Sequence, residues 1–345
     1  MTGVVGPGLW PGEDILPAQL EIFEDLSQSP TGVTAAPFLA ELPERAAWAT
    51  RIGRTLAVLE EVPYELGPHG WKLADRGGRD RERAQSLLTQ DLEAFAIAGT
   101  GFDGPITIDL TGPWTLAAQL YLARGDRALT DFGAVGDLAL SLAQGTSGLV
   151  ANLHSQLPGA HITIHLHEHL IGQIAAGVLP TFSGYSRIPA VPGPTLVQHL
   201  KPLVETIKSS SARVAVNVGD AWVGIAPVVH SEADALVMDF GRSDSWNERG
   251  WELIARVVER GTHLWLGLPA PQVSQCSGPN LKNLADTLLV PWHRMGLEPS
   301  RLADTVITQS AVAARDLYHQ GSTAARGSIA TLKRVAEHIA ERAAQ

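Results

Sequence analysis

The run His165-Leu166-His167-Glu168-His169 sets three imidazoles and a carboxylate side by side. Side chains alternate between the two faces of a β-strand, so residues 165, 167 and 169 share one face. Glu168 then lies on the opposite face or turns into the following loop. Neutral imidazoles are common metal ligands and carry protons near neutral pH, so three on one face could hold a divalent ion. The same rings could equally fill a polar layer, hydrogen-bonded to their neighbours. Asp220 and Asp239 each follow a short apolar run and are candidate pocket acids, although Asp220 could instead cap a helix that follows it. Trp10, set among prolines and glycines, either walls a pocket or packs in the core.

These residues need strands to aim them. Short β-rich runs fall at Phe38–Leu42, Pro105–Leu110, His161–His167, Arg213–Val218, Ala235–Phe240, His263–Leu268 and Thr305–Thr308, with Gly3–Val5 as a possible eighth. Most are β-branched or wholly apolar, as strands covered on both faces should be. Helical patterns lie between them, at 45–61, 81–96, 131–153, 195–208, 245–260 and 280–295, and the chain closes on a helical pattern over 331–344. Such alternation predicts parallel strands joined by crossover helices. The length, and the lack of a Gly-x-Gly-x-x-Gly turn after an early strand, favour an α/β fold of the (β/α)₈ TIM-barrel type over an open doubly wound sheet. No linker divides the chain, which reads as a single domain over residues 1–345. Barrel chemistry sits at the C-terminal ends of strands, where His167, Asp220 and Asp239 fall.

The bulk composition excludes several classes. A net charge of −10 lacks the basic face that nucleic acid requires. The lone cysteine, Cys276, precludes an intramolecular disulfide and any Cys-rich metal site. The first twelve residues do not read as a signal peptide, and the apolar stretch Ile171–Phe182 is too short for a membrane span, so a cytoplasmic protein is expected. There is no Walker-type loop, nucleophile elbow or defensible Ser/His/Asp order.

Several segments resemble the catalytic barrel of the cobalamin-independent methionine synthases, in their short actinobacterial form. Pro7-Gly8-Leu9-Trp10-Pro11-Gly12 resembles that group's Ile-Gly-Ser-Trp-Pro-Gly. Ala40-Glu41-Leu42-Pro43-Glu44-Arg45 resembles its Glu-Leu-Pro-x-Arg segment, and Thr111-Gly112-Pro113-Trp114-Thr115-Leu116-Ala117 its Pro-Gly-Pro-x-Thr-Leu turn. The resemblance covers nearly the whole chain. It implies a methionine synthase/uroporphyrinogen decarboxylase-like barrel and a family reaction that transfers a methyl group from a methylated folate to the homocysteine thiol. A free thiol is only a few per cent ionised at pH 7, and the family uses zinc to deprotonate it.

The resemblance also implies where that zinc would sit, and the residues there have changed. The family's His-x-Cys pair falls on Asn217 and Gly219, its carboxylate on Asp239 and its final cysteine on Ser310. One possible ligand in four remains, so no zinc cofactor is expected. The family's serine falls on Leu9, and its Asp-Glu-Pro on His167-Glu168-His169; an imidazole cannot replace a carboxylate opposite an ammonium. Glu41 keeps the other acidic contact. The strand-end His-x-His also resembles that of metal-dependent amidohydrolases, but the further histidines and aspartate of that family have no counterpart.

The expectation is therefore a diverged homologue without zinc-dependent activity, a pseudoenzyme candidate acting as a ligand-binding or regulatory barrel. Its substrate-binding candidates are Trp10, Glu41, His167, Glu168, Asn217, Asp220, Asp239 and Ser310, and its partner a small molecule rather than nucleic acid or membrane. Two alternatives stand beside it. One is an active methyl or alkyl transferase, or a metal-assisted hydrolase, rebuilt around His165, His167 and His169. The other is a structural docking protein.

Overall fold

A computed structural model describes residues 1–240, 248–269 and 279–344. Eight parallel strands form its sheet. They are β1 (Thr2–Val5), β2 (Val33–Ala36), β5 (Pro105–Thr111), β6 (His161–His167), β7 (Arg213–Asn217), β8 (Ala235–Asp239), β9 (His263–Leu268) and β10 (Thr305–Gln309). They run in the spatial order β2-β1-β10-β9-β8-β7-β6-β5, and a separate antiparallel hairpin pairs β3 (Tyr64–Gly67) with β4 (Gly70–Leu73). The two ends of the sheet nearly meet. Leu39 N donates to Thr107 O at 3.1 Å and Thr107 N to Pro37 O at 2.9 Å, so β2 and β5 close an α/β TIM barrel.

The strands alternate as a barrel requires. Along β5, Ile106, Ile108 and Leu110 are fully buried against the helices, each worth about 1.5–3 kcal/mol of burial. Thr107, Asp109 and Thr111 take the other face. In the barrel, Val5, Ala36, Ala215, Ala235, Val237 and Trp265 pack as a cluster of their own. The cross-strand register then lays Asp109 beside His165, His167 beside Asn217, and Asp239 beside Gly267. Helices fill the crossovers, among them 51–58, 79–98, 132–156, 193–209, 248–259 and 279–294, and the chain ends on Ser322–Ala343.

Two details differ from the expectations of the sequence. The second barrel strand is Val33–Ala36, not Phe38–Leu42. Pro37 has no N–H for the ladder and stops it; the residues beyond continue by single bridges, Phe38 to Thr107 and Glu41 to Leu9. The helix Ile15–Leu26 and the β3–β4 hairpin are additions that the strand–helix alternation does not predict. Cys276 lies outside the described residues, as do 241–247 of the expected helical and loop segments. No helix among the described residues is long and apolar enough to cross a membrane.

Candidate functional site at the C-terminal strand ends

Four side chains from three elements form a polar chain inside the upper barrel. Asp109 comes from β5, His165 and His167 from β6, and Arg51 from the start of the helix Arg51–Val58. His165 Nδ1 lies 2.9 Å from Asp109 Oδ1, His167 Nε2 lies 3.5 Å from Asp109 Oδ2, and Arg51 Nη1 donates to His167 Nδ1 at 2.9 Å. The two imidazole centroids are 4.1 Å apart, and the Trp265 ring lies 5.4 Å from that of His165.

Donor and acceptor roles follow from the chemistry of each group. A guanidinium only donates, so His167 Nδ1 must be an acceptor. A neutral His167 therefore carries its proton on Nε2, facing Asp109. Burial, with the Arg51 guanidinium beside it, holds His167 well below the ordinary imidazole range. Burial works against ionisation of Asp109, yet the imidazoles beside it hold its carboxyl well below the usual carboxylate range. An ionised Asp109 accepts a hydrogen bond from His165 Nδ1–H, and in the neutral imidazole that leaves Nε2 as the acceptor. That nitrogen is buried and has no partner. An imidazole oriented by a carboxylate with a free distal nitrogen can accept a proton from a bound molecule.

Backbone geometry makes room for this chain. Gly8 has φ +77°, and a Cβ there would stand 2.0 Å from Asp109 Oδ2. Only glycine fits beneath that carboxylate.

The rim carries further charge. Burial, with Arg51 and Arg315 nearby, lowers His169 to about 4. Neither arginine forms an ion pair with a carboxylate among the described residues. Glu41 Oε1 accepts from Arg51 N at 2.8 Å, whereas Glu41 Oε2 is buried without a partner.

The other expected site residues divide into two groups. Asn217, Asp220, Asp239 and Ser310 all stand at the C-terminal ends of β7, β8 and β10 or just beyond, as expected. The side chains of Asn217 and Ser310, however, are used locally. Asn217 Oδ1 accepts from Gly219 N at 2.8 Å, and Ser310 Oγ accepts from Ala313 N at 3.2 Å, capping the helix Ala311–Tyr318. Asp239 Oδ2 accepts from Ala311 N at 3.3 Å. Burial pushes Asp239 up to about 6, the Ala311 N–H opposes this, and the exposed Asp220 adds to it. The turn after Asp220 starts from Ala221 without a side-chain cap. Opposite, Gly267 leaves space for Asp239, since a Cβ there would lie 2.4 Å from Oδ1.

Glu168 and Trp10 turn elsewhere. Glu168 is fully buried, its oxygens accepting from Trp114 N at 2.9 Å and Thr115 N at 2.7 Å. Burial raises it to about 7 against those hydrogen bonds. Trp10 is buried, with its ring 6.1 Å from Phe38.

His169 does not join His165 and His167. The three groups whose donor atoms lie within 4.8 Å of one another are Asp109, His165 and His167. Asp109 and Arg51 are not among the residues that the sequence singles out. Asp109 does carry a signal, being the one carboxylate within the otherwise uncharged strand Pro105–Thr111. Arg51 carries none, because its side chain reaches the site from a helix start far from β6 in sequence.

No protein-family model matches the sequence, and no curated protein matches it. Among solved structures, the chain is similar to a B12-independent methionine synthase from Shewanella sp. W3-18-1 in complex with selenomethionine. The identity is 13%, the match covers 98% of this chain and 97% of that one, and the TM-score is 0.59. An L-ribulose 3-epimerase matches at 12% identity over 99% and 94% of the two chains, with a TM-score of 0.44. A D-psicose 3-epimerase from Clostridium cellulolyticum H10, with D-tagatose, matches at 9% identity over 99% and 97%, with a TM-score of 0.43. The first of these likenesses establishes the shared barrel fold.

Proposed function

We propose that the chain is a diverged, methionine-synthase-like barrel of one domain, which binds a small ligand in a binding or regulatory role and does not carry out zinc-dependent methyl transfer to a thiol. The observation that supports this reading is the local use of the oxygens at the zinc positions. Asn217 and Ser310 spend their side-chain oxygens on their own backbone turns, and Gly219 has no side chain. Asp239 alone is a carboxylate, so the donor set does not fit a sulfur-rich zinc site.

The ligand class follows from what the site leaves unsatisfied. Arg51 and Arg315 offer positive charge without carboxylate partners among the described residues, while Glu41 Oε2 and His165 Nε2 are buried acceptors without donors. A small polar molecule with one acidic group and one or more N–H or O–H donors would satisfy both halves. The test combines zinc analysis of the purified protein, a methylation assay, and thermal shifts against small amino and hydroxy acids. The expected result is no stoichiometric zinc, no methionine formed above the enzyme-free background, and a concentration-dependent stabilisation by at least one acid. Methionine formation from methylated folate and homocysteine would overturn the proposal.

A second reading rests on the Asp109, His165 and His167 cluster, whose spacing suits a divalent ion in metal-assisted hydrolysis. Arg51 argues against it. Its guanidinium forces the proton of a neutral His167 onto Nε2 and brings a positive charge within 2.9 Å of the same ring. Nickel or zinc that binds wild-type protein at one per chain, and is lost on His165→Gln, would favour this second reading over the first.

A further inference from the structure

The opposite end of the barrel holds a cavity of about 310 Å³, at the N-terminal strand ends and away from the candidate site. Its walls include the apolar Val5, Ala36, Ala235, Trp265 and Val306, together with the hydroxyl of Thr107. Thr107 Oγ1 is fully buried and has no hydrogen-bond partner. The volume lies at the low end of ligand-sized cavities, which are mostly apolar with a few convergent polar groups.

The mouth sets Arg213 and Arg260 beside Asp234 and Asp304. A second hollow of about 300 Å³ shares Arg213, Asp234 and His263 with the first and adds Arg260. The acids there are already engaged. Asp234 accepts from Val214 N at 2.8 Å and pairs with Lys208 at 3.0 Å, and Asp304 pairs with Arg301 at 3.8 Å. Arg213 and Arg260 form no ion pair among the described residues. The apolar shaft thus opens at Arg213, with Arg260 in the adjoining hollow, and neither guanidinium is paired with a carboxylate among the described residues.

We propose that this lower cavity binds a small amphiphilic monoanion, with an aromatic or short alkyl body in the shaft against Trp265 and a carboxylate at Arg213 and Arg260. The body removes apolar surface from water, Thr107 finds an acceptor or donor, and the carboxylate meets planar forks suited to two-point recognition. The site is independent of the ligand reading for the upper barrel, since none of its residues belongs to the Arg51–His167–Asp109–His165 chain.

The experiment is calorimetric titration of the full chain with phenylacetate, phenylacetamide and acetate. Wild type is expected to bind one phenylacetate per chain, at least about tenfold more tightly than either control. Ala235→Leu, which fills the shaft, should weaken phenylacetate by about tenfold or more. Arg213→Gln, on the exposed mouth, should weaken phenylacetate toward the affinity of phenylacetamide and leave the amide unchanged. If Ala235→Leu fails to melt cooperatively, Ala36→Val serves as the filling variant. Absence of saturable phenylacetate binding below about 10 mM would overturn the proposal. So would undiminished binding in a folded shaft-filling variant, or equal loss of acid and amide on Arg213→Gln.

Discussion

Asp239 stands at the end of β8 with its carboxyl buried, pushed up to about 6 from an ordinary value of 3.8. The folded protein therefore holds the proton through a pH range in which the unfolded chain has released it. Stability from this source is fully present below the unfolded pKa and declines as pH rises through the folded one. Between roughly pH 4 and pH 6 the decline is on the order of 2 kcal/mol, since one pKa unit between the folded and unfolded chains is worth about 1.4 kcal/mol. Urea-unfolding free energies across that range should fall for wild type, with a shallower fall for Asp239→Asn. Parallel pH profiles for the two proteins would show that Asp239 is solvated and ordinary. Asp109 is the opposite case, a buried carboxylate kept ionised by imidazoles on two sides. The two acids, each set in an apolar strand pattern, are told apart only by what faces them.

At the scale of elements, the segment after β6 does more than end a strand. Glu168 folds back and ties down two N–H groups in the first turn of Pro113–Gln119, joining the ends of β5 and β6. Glu168→Ala leaves both donors buried and unpaired, at about 1–3 kcal/mol for each unsatisfied group. The expected outcome is a loss of roughly 2–5 kcal/mol in denaturant unfolding, without change in the pH dependence that belongs to Asp239. A loss near zero would mean that water replaces the carboxyl. This element also illustrates what is legible in a sequence. The period-two pattern of His161–His167 fixes the strand and the shared face of His165 and His167, because alternation is a local property. Glu168 reads as a pocket residue because its partners, Trp114 and Thr115, lie on another strand–helix connection. The β2 strand meets a related limit. Pro37 follows Val33–Ala36, and the apolar run after it looks like a better strand than the four residues that pair. Arg51 escapes entirely, since a long-range contact from a helix start leaves no periodic trace.

At the scale of the whole molecule, the barrel interior is not one space. Trp265 lines the lower cavity and its ring also lies 5.4 Å from His165 in the upper chain. One indole therefore stands between the lower cavity and the buried Asp109–His165–His167 cluster. An occupant that shifted this ring from below would alter the surroundings of His165 above. Linkage makes the exchange symmetrical: the factor by which a lower ligand changes upper affinity equals the factor by which an upper ligand changes the lower. Titrating each ligand in the presence of the other should return the same coupling factor in both directions, and Trp265→Ala should bring that factor to one. With both proposed ligands bound, a coupling factor different from one would make the barrel a two-input device, in which the concentration of one small acid sets the sensitivity to another.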